Sequence, residues 1–582
     1  MAASIAGAGR PWFFGPVPDL LLGCGLLYAG LFAAQSLAGD SLRAALPAGL
    51  HPFLTLLFGA PHYGATLLRA YGSRAERRRY ALFTVWLTAL LVVLFPLGLE
   101  LPWLGSAIVT LYLTWSPWHY SGQNYGVAMA FLRRRGVPVG SASRRLLHLS
   151  FVTSFALTFL ALHGAGPAET FAPATHRGTV FELYRLGIPA PISAPLFRAT
   201  LAVYLLSATL GAAGLLRASG LRRPLPALLL LLTQALWFGL PTSARHFGLF
   251  GELDPLSAKH ASYTLMWVAV GHFLQYLWFT TFYACGASEP RVRLRYLGEC
   301  LLLGAALWTL PTLLFAPGGL GRLPFDFGLG LLAAALVNLH HFALDGAIWK
   351  LRDGRVARVL VREPVPEPEV EPRRPWLRPV LLLAGAFSLA VTGLAYTEAE
   401  FGFRRAAERM DLPRLRRAVD RLAWLGRDSP RAHLALARVA LGAGDAARAR
   451  RELERSLELH PTAEALIELA NWHERFGSPA EASAALERAV ALDPDHSRAQ
   501  YRLGVRRLRS GDPKGAVDAL ERAAELEPGS TLIRKALDRA REELAEPAGP
   551  AGRKGAGPEP AAGSTRREPA RPPPHVATRG AD

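Results

Sequence analysis

Over roughly the first two thirds of the chain, apolar residues run in blocks of membrane-spanning length, about 20 residues, rather than as the narrow stripe of a surface helix. Eleven windows can be placed, near 18–38, 48–71, 80–99, 103–132, 146–163, 195–216, 224–241, 260–285, 294–316, 325–350 and 376–396. They predict an all-α polytopic transmembrane bundle of about eleven spans over 1–397. The fourth window is too long for an upright span and contains Pro117, so it is expected to kink.

Beyond about residue 397 the pattern changes to amphipathic helices that repeat. Aligning 430–461, 463–494 and 497–528 brings Pro461, Pro494 and Pro528 into register, at a period of about 34 residues. Ala437, Ala470 and Gly504 share one small-residue position, and Ala449, Ala482 and Ala516 another, where paired helices must approach closely. Gly444, Gly477 and Gly511 mark the turns, and the strings ELERSLELHP, ALERAVALDP and ALERAAELEP are near copies. This part resembles the tetratricopeptide repeat (TPR) family over roughly 430–545, with a degenerate repeat before it (Ala418, Leu422, Pro430) and a capping helix at about 530–545. The resemblance implies an α-solenoid over 398–546 that binds a protein partner. The family's aromatic positions hold His433, Leu466 and Gln500, and Ala440, His473 and Arg507; His433 and His473 read as surface residues. The Pro-, Gly-, Ala- and Arg-rich tail, 547–582, is expected to be disordered, and 363–375 an extended loop.

Composition agrees with a membrane protein: 51% of residues are hydrophobic and 19% charged. The net charge of +19 reflects arginines in alternate loops, such as Arg74, Arg77, Arg78 and Arg79, Arg133, Arg134 and Arg135, and Arg291, Arg293 and Arg295. By the positive-inside rule this places the N-terminus in the cytoplasm and the repeats on the outer, periplasmic face of an inner membrane. The charge is a topology signal that also suits anionic lipid, not a nucleic-acid surface. No cleavable signal peptide is evident, and the three cysteines, Cys24, Cys285 and Cys300, form no CxxC pair.

The chemistry lies in histidines. His62, His119, His272 and the pair His340 and His341 sit in the second, fourth, eighth and tenth windows, which all run in one direction across the bilayer. An imidazole in a span is costly and is usually kept for function, so one shared metal site is expected. Gln123, Asn124, Gln275 and Asn338 are candidates to orient the rings, and Asp345, sharing a face with Asn338 and His341, is the one carboxylate to consider for catalysis. Neutral imidazoles, amides and one carboxylate suit iron first, or copper, zinc or manganese; bis-histidine haem is an alternative. Trp115, Trp118, Tyr120 and Tyr276 would shape an apolar pocket. A loop cluster, His246, Glu252, Asp254 and His260, is a weaker cation candidate.

The Gly59-Ala60-Pro61-His62 element and the scattered intramembrane histidines resemble the bacteriorhodopsin-related carotene-cleaving dioxygenases, although Thr66 and Leu67 stand where that family has Asp. That resemblance implies a histidine-bound metal oxidoreductase acting on a lipid-soluble substrate. The competing expectation is a membrane-anchored scaffold without catalysis.

Overall fold

The computed structural model describes residues 11–39, 41, 45–47, 49–165, 178–249, 261–286, 288–349 and 377–545. The 547–582 tail, the 363–375 loop, Lys350, Glu252, Asp254 and His260 lie outside the described residues. The chain is all-α; among the described residues the β-pairing comprises two isolated bridges, Gly164 with Ile188 and Pro317 with Gly321. It divides into two compact units, 1–485 and 486–582.

Among the described residues, seven helices are long and apolar enough to cross a membrane, or eight if the bent pair Pro16–Gly23 and Leu26–Ala38 is one span. Three of the eleven expected windows are helical but fall short of that apolarity, and they are the ones that carry His62, His119 and His272. The first is built from Leu50–Leu54, a π-helical turn Thr55–Gly59 and Ala60–Tyr71; the others are Pro102–Arg134 and Ala261–Cys285. Their polar residues dilute the apolar run because much of their surface faces protein rather than lipid. Pro117 lies inside Pro102–Arg134, which continues through it as one 33-residue helix.

Burial separates inner from outer helices. Leu329–Ile348 is 78% buried over its apolar window, whereas Leu82–Glu100 and Ala190–Ser219 are 22% buried and Arg378–Glu408 is 17% buried. The His341 helix is therefore the axis of the bundle, and the other three are peripheral. Against this core, Ala60–Tyr71 packs on Pro290–Leu314 through small residues: a Cβ on Gly64 would fall on the carbonyl of Cys300, and one on Gly304 on the carbonyl of Ala60. This reciprocal Ala-x3-Gly against Cys-x3-Gly contact is the close packing that membrane helices favour. It leaves the opposite face, with His62 and Thr66, turned inward.

The span Leu377–Thr397 runs on through a π-helical segment Glu398–Arg404 into Arg405–Glu408, so the boundary expected at 397 falls within a continuous helix. Leu412–Trp424 then turns back, capped by the Asp411 side chain on the Arg414 N–H. Within this unit the bundle meets the repeats directly: Ser429 Oγ donates to Asp326 Oδ2 at 2.6 Å, and the Arg427 guanidinium lies 3.4 Å from the Phe325 ring centroid.

Helices Pro430–Gly442, Ala446–Leu459, Ala463–Phe476, Pro479–Leu492, Ser497–Arg509 and Pro513–Leu526 form the repeats, followed by Thr531–Ala545. The aligned alanines Ala437, Ala470, Ala449, Ala482 and Ala516 are all fully buried. Gly444 and Gly511 turn with φ of 82° and 79°, which side chains resist. His433 and His473 are buried, contrary to their reading as surface residues. His433 is held between two carboxylates, Nε2 to Asp428 Oδ1 at 2.8 Å and Nδ1 to Glu452 Oε2 at 2.7 Å.

Candidate metal centre

Three helices each present an i, i+4 pair to one place: His62 with Thr66, His272 with Tyr276, and His341 with Asp345. The pairs form two layers one helical turn apart, so these helices run in the same sense. His119 joins the imidazole layer from Pro102–Arg134.

In that layer the four rings close a cycle. Centroids are 4.3 Å apart for His62 and His341, 4.9 Å for His62 and His272, 5.0 Å for His119 and His272, and 4.8 Å for His119 and His341. All four side chains are buried. Tyr120 stacks on His272 at 4.0 Å and Phe342 on His119 at 4.4 Å, fixing both ring planes. Two overlapping sets, His62, His272 and His341, and His119, His341 and Asp345, each bring one ligand atom per residue within 4.8 Å of the others and could hold a metal ion.

The second layer fixes a proton. Tyr276 O–H donates to Asp345 Oδ1 at 2.8 Å and its oxygen accepts from Trp349 Nε1 at 3.2 Å. Its single hydrogen is thereby used, so at the 2.6 Å contact with Thr66 the threonine is the donor. Thr66 Oγ1 must then accept from His341 Nδ1–H, 2.8 Å away. His341 Nε2 is left with its lone pair, and it faces His62 Nε2 at 2.8 Å and Asp345 Oδ2 at 3.4 Å. Asp345 Oδ2 also lies 4.0 Å from His119 Nε2.

The His62 tautomer is not fixed by any other partner, so its Nε2 can donate to that lone pair or share a cation with it; the unpartnered nitrogens around the pair favour the cation. Among the described residues, His62 Nδ1, His119 Nε2 and both ring nitrogens of His272 have no hydrogen-bond partner, at a cost of about 1–3 kcal/mol each. Two nitrogens on one ion, each at about 2.1 Å, sit about 3 Å apart when at right angles. The 2.8 Å between His62 and His341 is close to that spacing.

The remaining candidates are placed elsewhere. His340, expected as a ligand beside His341, points about 100° around the helix, and its Nε2 lies 3.0 Å from both Tyr71 Oη and Thr88 Oγ1. Gln123, Asn124 and Gln275 were expected to orient the rings and instead bond one another. Gln123 donates to Gln275 Oε1 (2.6 Å), Gln275 to Asn124 Oδ1 (3.0 Å), and Asn124 to Gln234 Oε1 (2.8 Å). Asn338 accepts from Tyr63 O–H at 2.8 Å and donates to the Ala334 carbonyl. None of these amides bonds an imidazole nitrogen. Trp118 is 42% exposed and does not line the site, and His246 stacks on Phe197 at 3.8 Å. Thr66 joins the site as a partner of His341, and its i+4 spacing from His62, the spacing of Asp345 from His341, is the signal for it in the sequence.

A tetratricopeptide repeat family model matches residues 434–482 and 467–531. Among solved structures, the "Crystal structure of MamA protein" is similar at 22% identity, covering 26% of this chain and 84% of that one, with a TM-score of 0.24. No curated protein matches. The C-terminal part thus carries TPR repeats. Nothing in the comparisons supports the likeness to carotene-cleaving dioxygenases.

Proposed function

We propose that this chain is an integral membrane protein that holds a metal ion on His62, His119, His272 and His341, with Asp345 alongside, and works as an oxidoreductase on a lipid-soluble substrate. The cycle of four buried imidazoles with a carboxylate beside it carries the reading. Imidazole with carboxylate suits iron, copper, zinc or manganese; a redox role favours iron or copper. Neighbouring rings within 5.0 Å around the cycle favour a bare ion over haem, whose macrocycle would have to part facing ligands. Burial among helices makes lateral entry of an apolar molecule the natural route. The repeats would dock a protein partner, on the outer face by the arginine pattern.

The test is purification in mild detergent with elemental analysis and an absorption spectrum. The expected result is about one metal ion per chain in the wild type, and loss of it in the double variant His62→Ala, His341→Ala. Equal metal content in that variant would instead favour a membrane-anchored TPR scaffold whose histidines only pack.

A further inference from the structure

The helix that follows the last span carries an unusual face. Along Leu412–Trp424, Leu415, Ala418, Val419 and Leu422 are buried, while Arg414, Arg417, Arg421 and Trp424 are exposed at i, i+3, i+7 and i+10, one continuous stripe. Trp424 is 81% exposed, unusual for so large an apolar side chain in water.

Its depth is set by its neighbours. Leu425 packs in one buried cluster with Val391 and Ala395 of the span, and a Cβ on Gly426 would meet Leu313 and Ala316 at the end of another. Arg421 Nη1 bonds Glu398 at 2.6 Å, and Arg414 Nη2 donates to the Phe401 carbonyl at 3.4 Å. The helix therefore returns antiparallel along the end of the 31-residue helix Arg378–Glu408. A hydrocarbon core takes about 20 residues of that length, so the segment from about Glu398 stands at the headgroup level, with Trp424 on its membrane side. Tryptophan is the residue that favours that boundary.

Between the two helices lies a cavity of about 540 Å³ lined by Glu398, Phe401, Arg414, Arg417 and Arg421, among others. Arg421 is neutralised by Glu398, but Arg417 has no ion pair among the described residues, and Arg414 has only the carbonyl. The cavity keeps a net positive charge at the depth of lipid phosphates. We propose that it binds the phosphate of an anionic phospholipid, with Trp424 seated beside it in the interface. Guanidinium pairs with phosphate oxygens in a fork geometry.

The test is native mass spectrometry of the full-length protein released from micelles containing equal amounts of phosphatidylglycerol and phosphatidylcholine. The wild type is expected to retain phosphatidylglycerol with about tenfold preference, and the double variant Arg414→Gln, Arg417→Gln to lose it. Arg416→Gln, on the same helix but paired with Asp420 outside the cavity, should keep the preference. Equal retention of both lipids by the wild type, an unchanged double variant, or an equal loss with Arg416→Gln would overturn the proposal. So would displacement of the lipid by millimolar inorganic phosphate, which would assign the cavity to a free anion, or by an acidic peptide, which would assign it to protein.

Discussion

The Nε2 atoms of His62 and His341 lie 2.8 Å apart although the residues are 279 positions apart in the chain. The Thr66 contact on the far side of His341 turns that proximity into chemistry. Because Tyr276 donates its hydrogen bond to Asp345, Thr66 accepts a hydrogen bond from His341 Nδ1–H and the lone pair is left on Nε2, toward His62. Hydrogen bonds of this kind, behind the ring, hold metal-binding histidines in one tautomer.

Thr66→Val keeps the side-chain shape and removes the acceptor for His341 Nδ1. Metal affinity is expected to fall about 10- to 100-fold, measured by competition with a chelator of known affinity. Thr66→Ser, which retains the hydroxyl, should lie near wild type. Equal behaviour of the two variants would show that the hydroxyl does not fix the ring.

His340→Ala separates the two adjacent histidines. His340 bonds Tyr71 and Thr88, which also bond each other at 2.7 Å, so its loss leaves that pair intact. The variant is expected to keep its metal and lose only about 1 kcal/mol of stability. His341→Ala should lose the metal. Elemental analysis of the two purified side by side decides the assignment; a metal-free His340→Ala protein would place that ring in the site.

Much of this was legible in the sequence. The repeat register followed from alanines and glycines that must be small where helices touch, and histidines in parallel-running spans could be foreseen to meet. Periodicity alone could not choose between His340 and His341, since both lie in an apolar helix and only the packing of Tyr71 and Thr88 turns one away. The amides were misassigned for a related reason: Gln123 and Gln275 have the spacing to support a ring, but an amide buried near another amide satisfies donor and acceptor at once. Three of the eleven expected spans are less apolar than the rest because polar side chains lower the apolarity of enclosed helices.

Gly64→Ala tests how the His62 helix is positioned. The added Cβ would fall on the Cys300 carbonyl, a backbone atom that cannot rotate away, so the helices must separate. A loss of about 1–3 kcal/mol is expected, with His62 carried off its place and metal content reduced. Gly122→Ala, where an added Cβ meets open space, is the matched control. A thermal shift assay in detergent with elemental analysis reads both effects, and a Gly64→Ala protein as stable as the control would mean the small-residue contact does not set the helix spacing.

The first repeat carries its own pH response through His433. Burial lowers its proton affinity, but the hydrogen bonds its ring N–H groups donate to Asp428 and Glu452 outweigh this and raise the pKa from 6.5 to about 9. The folded state therefore binds this proton more tightly than the unfolded chain does. The stabilisation, roughly 3 kcal/mol, is complete below about pH 6.5 and is lost as the pH rises through about 9. Arg455, 2.8 Å from Asp428 Oδ2, keeps that carboxylate partly compensated when the imidazolium deprotonates, so the repeat should loosen rather than unfold. Hydrogen exchange in Pro430–Gly442 is expected to accelerate between pH 7 and 9, after correction for the intrinsic rate, in the wild type. In His433→Gln, which cannot carry the charge, protection should be lower at pH 6.5 and flat across that range. A wild-type profile as flat as the variant's would mean that the two carboxylates do not hold a proton on His433.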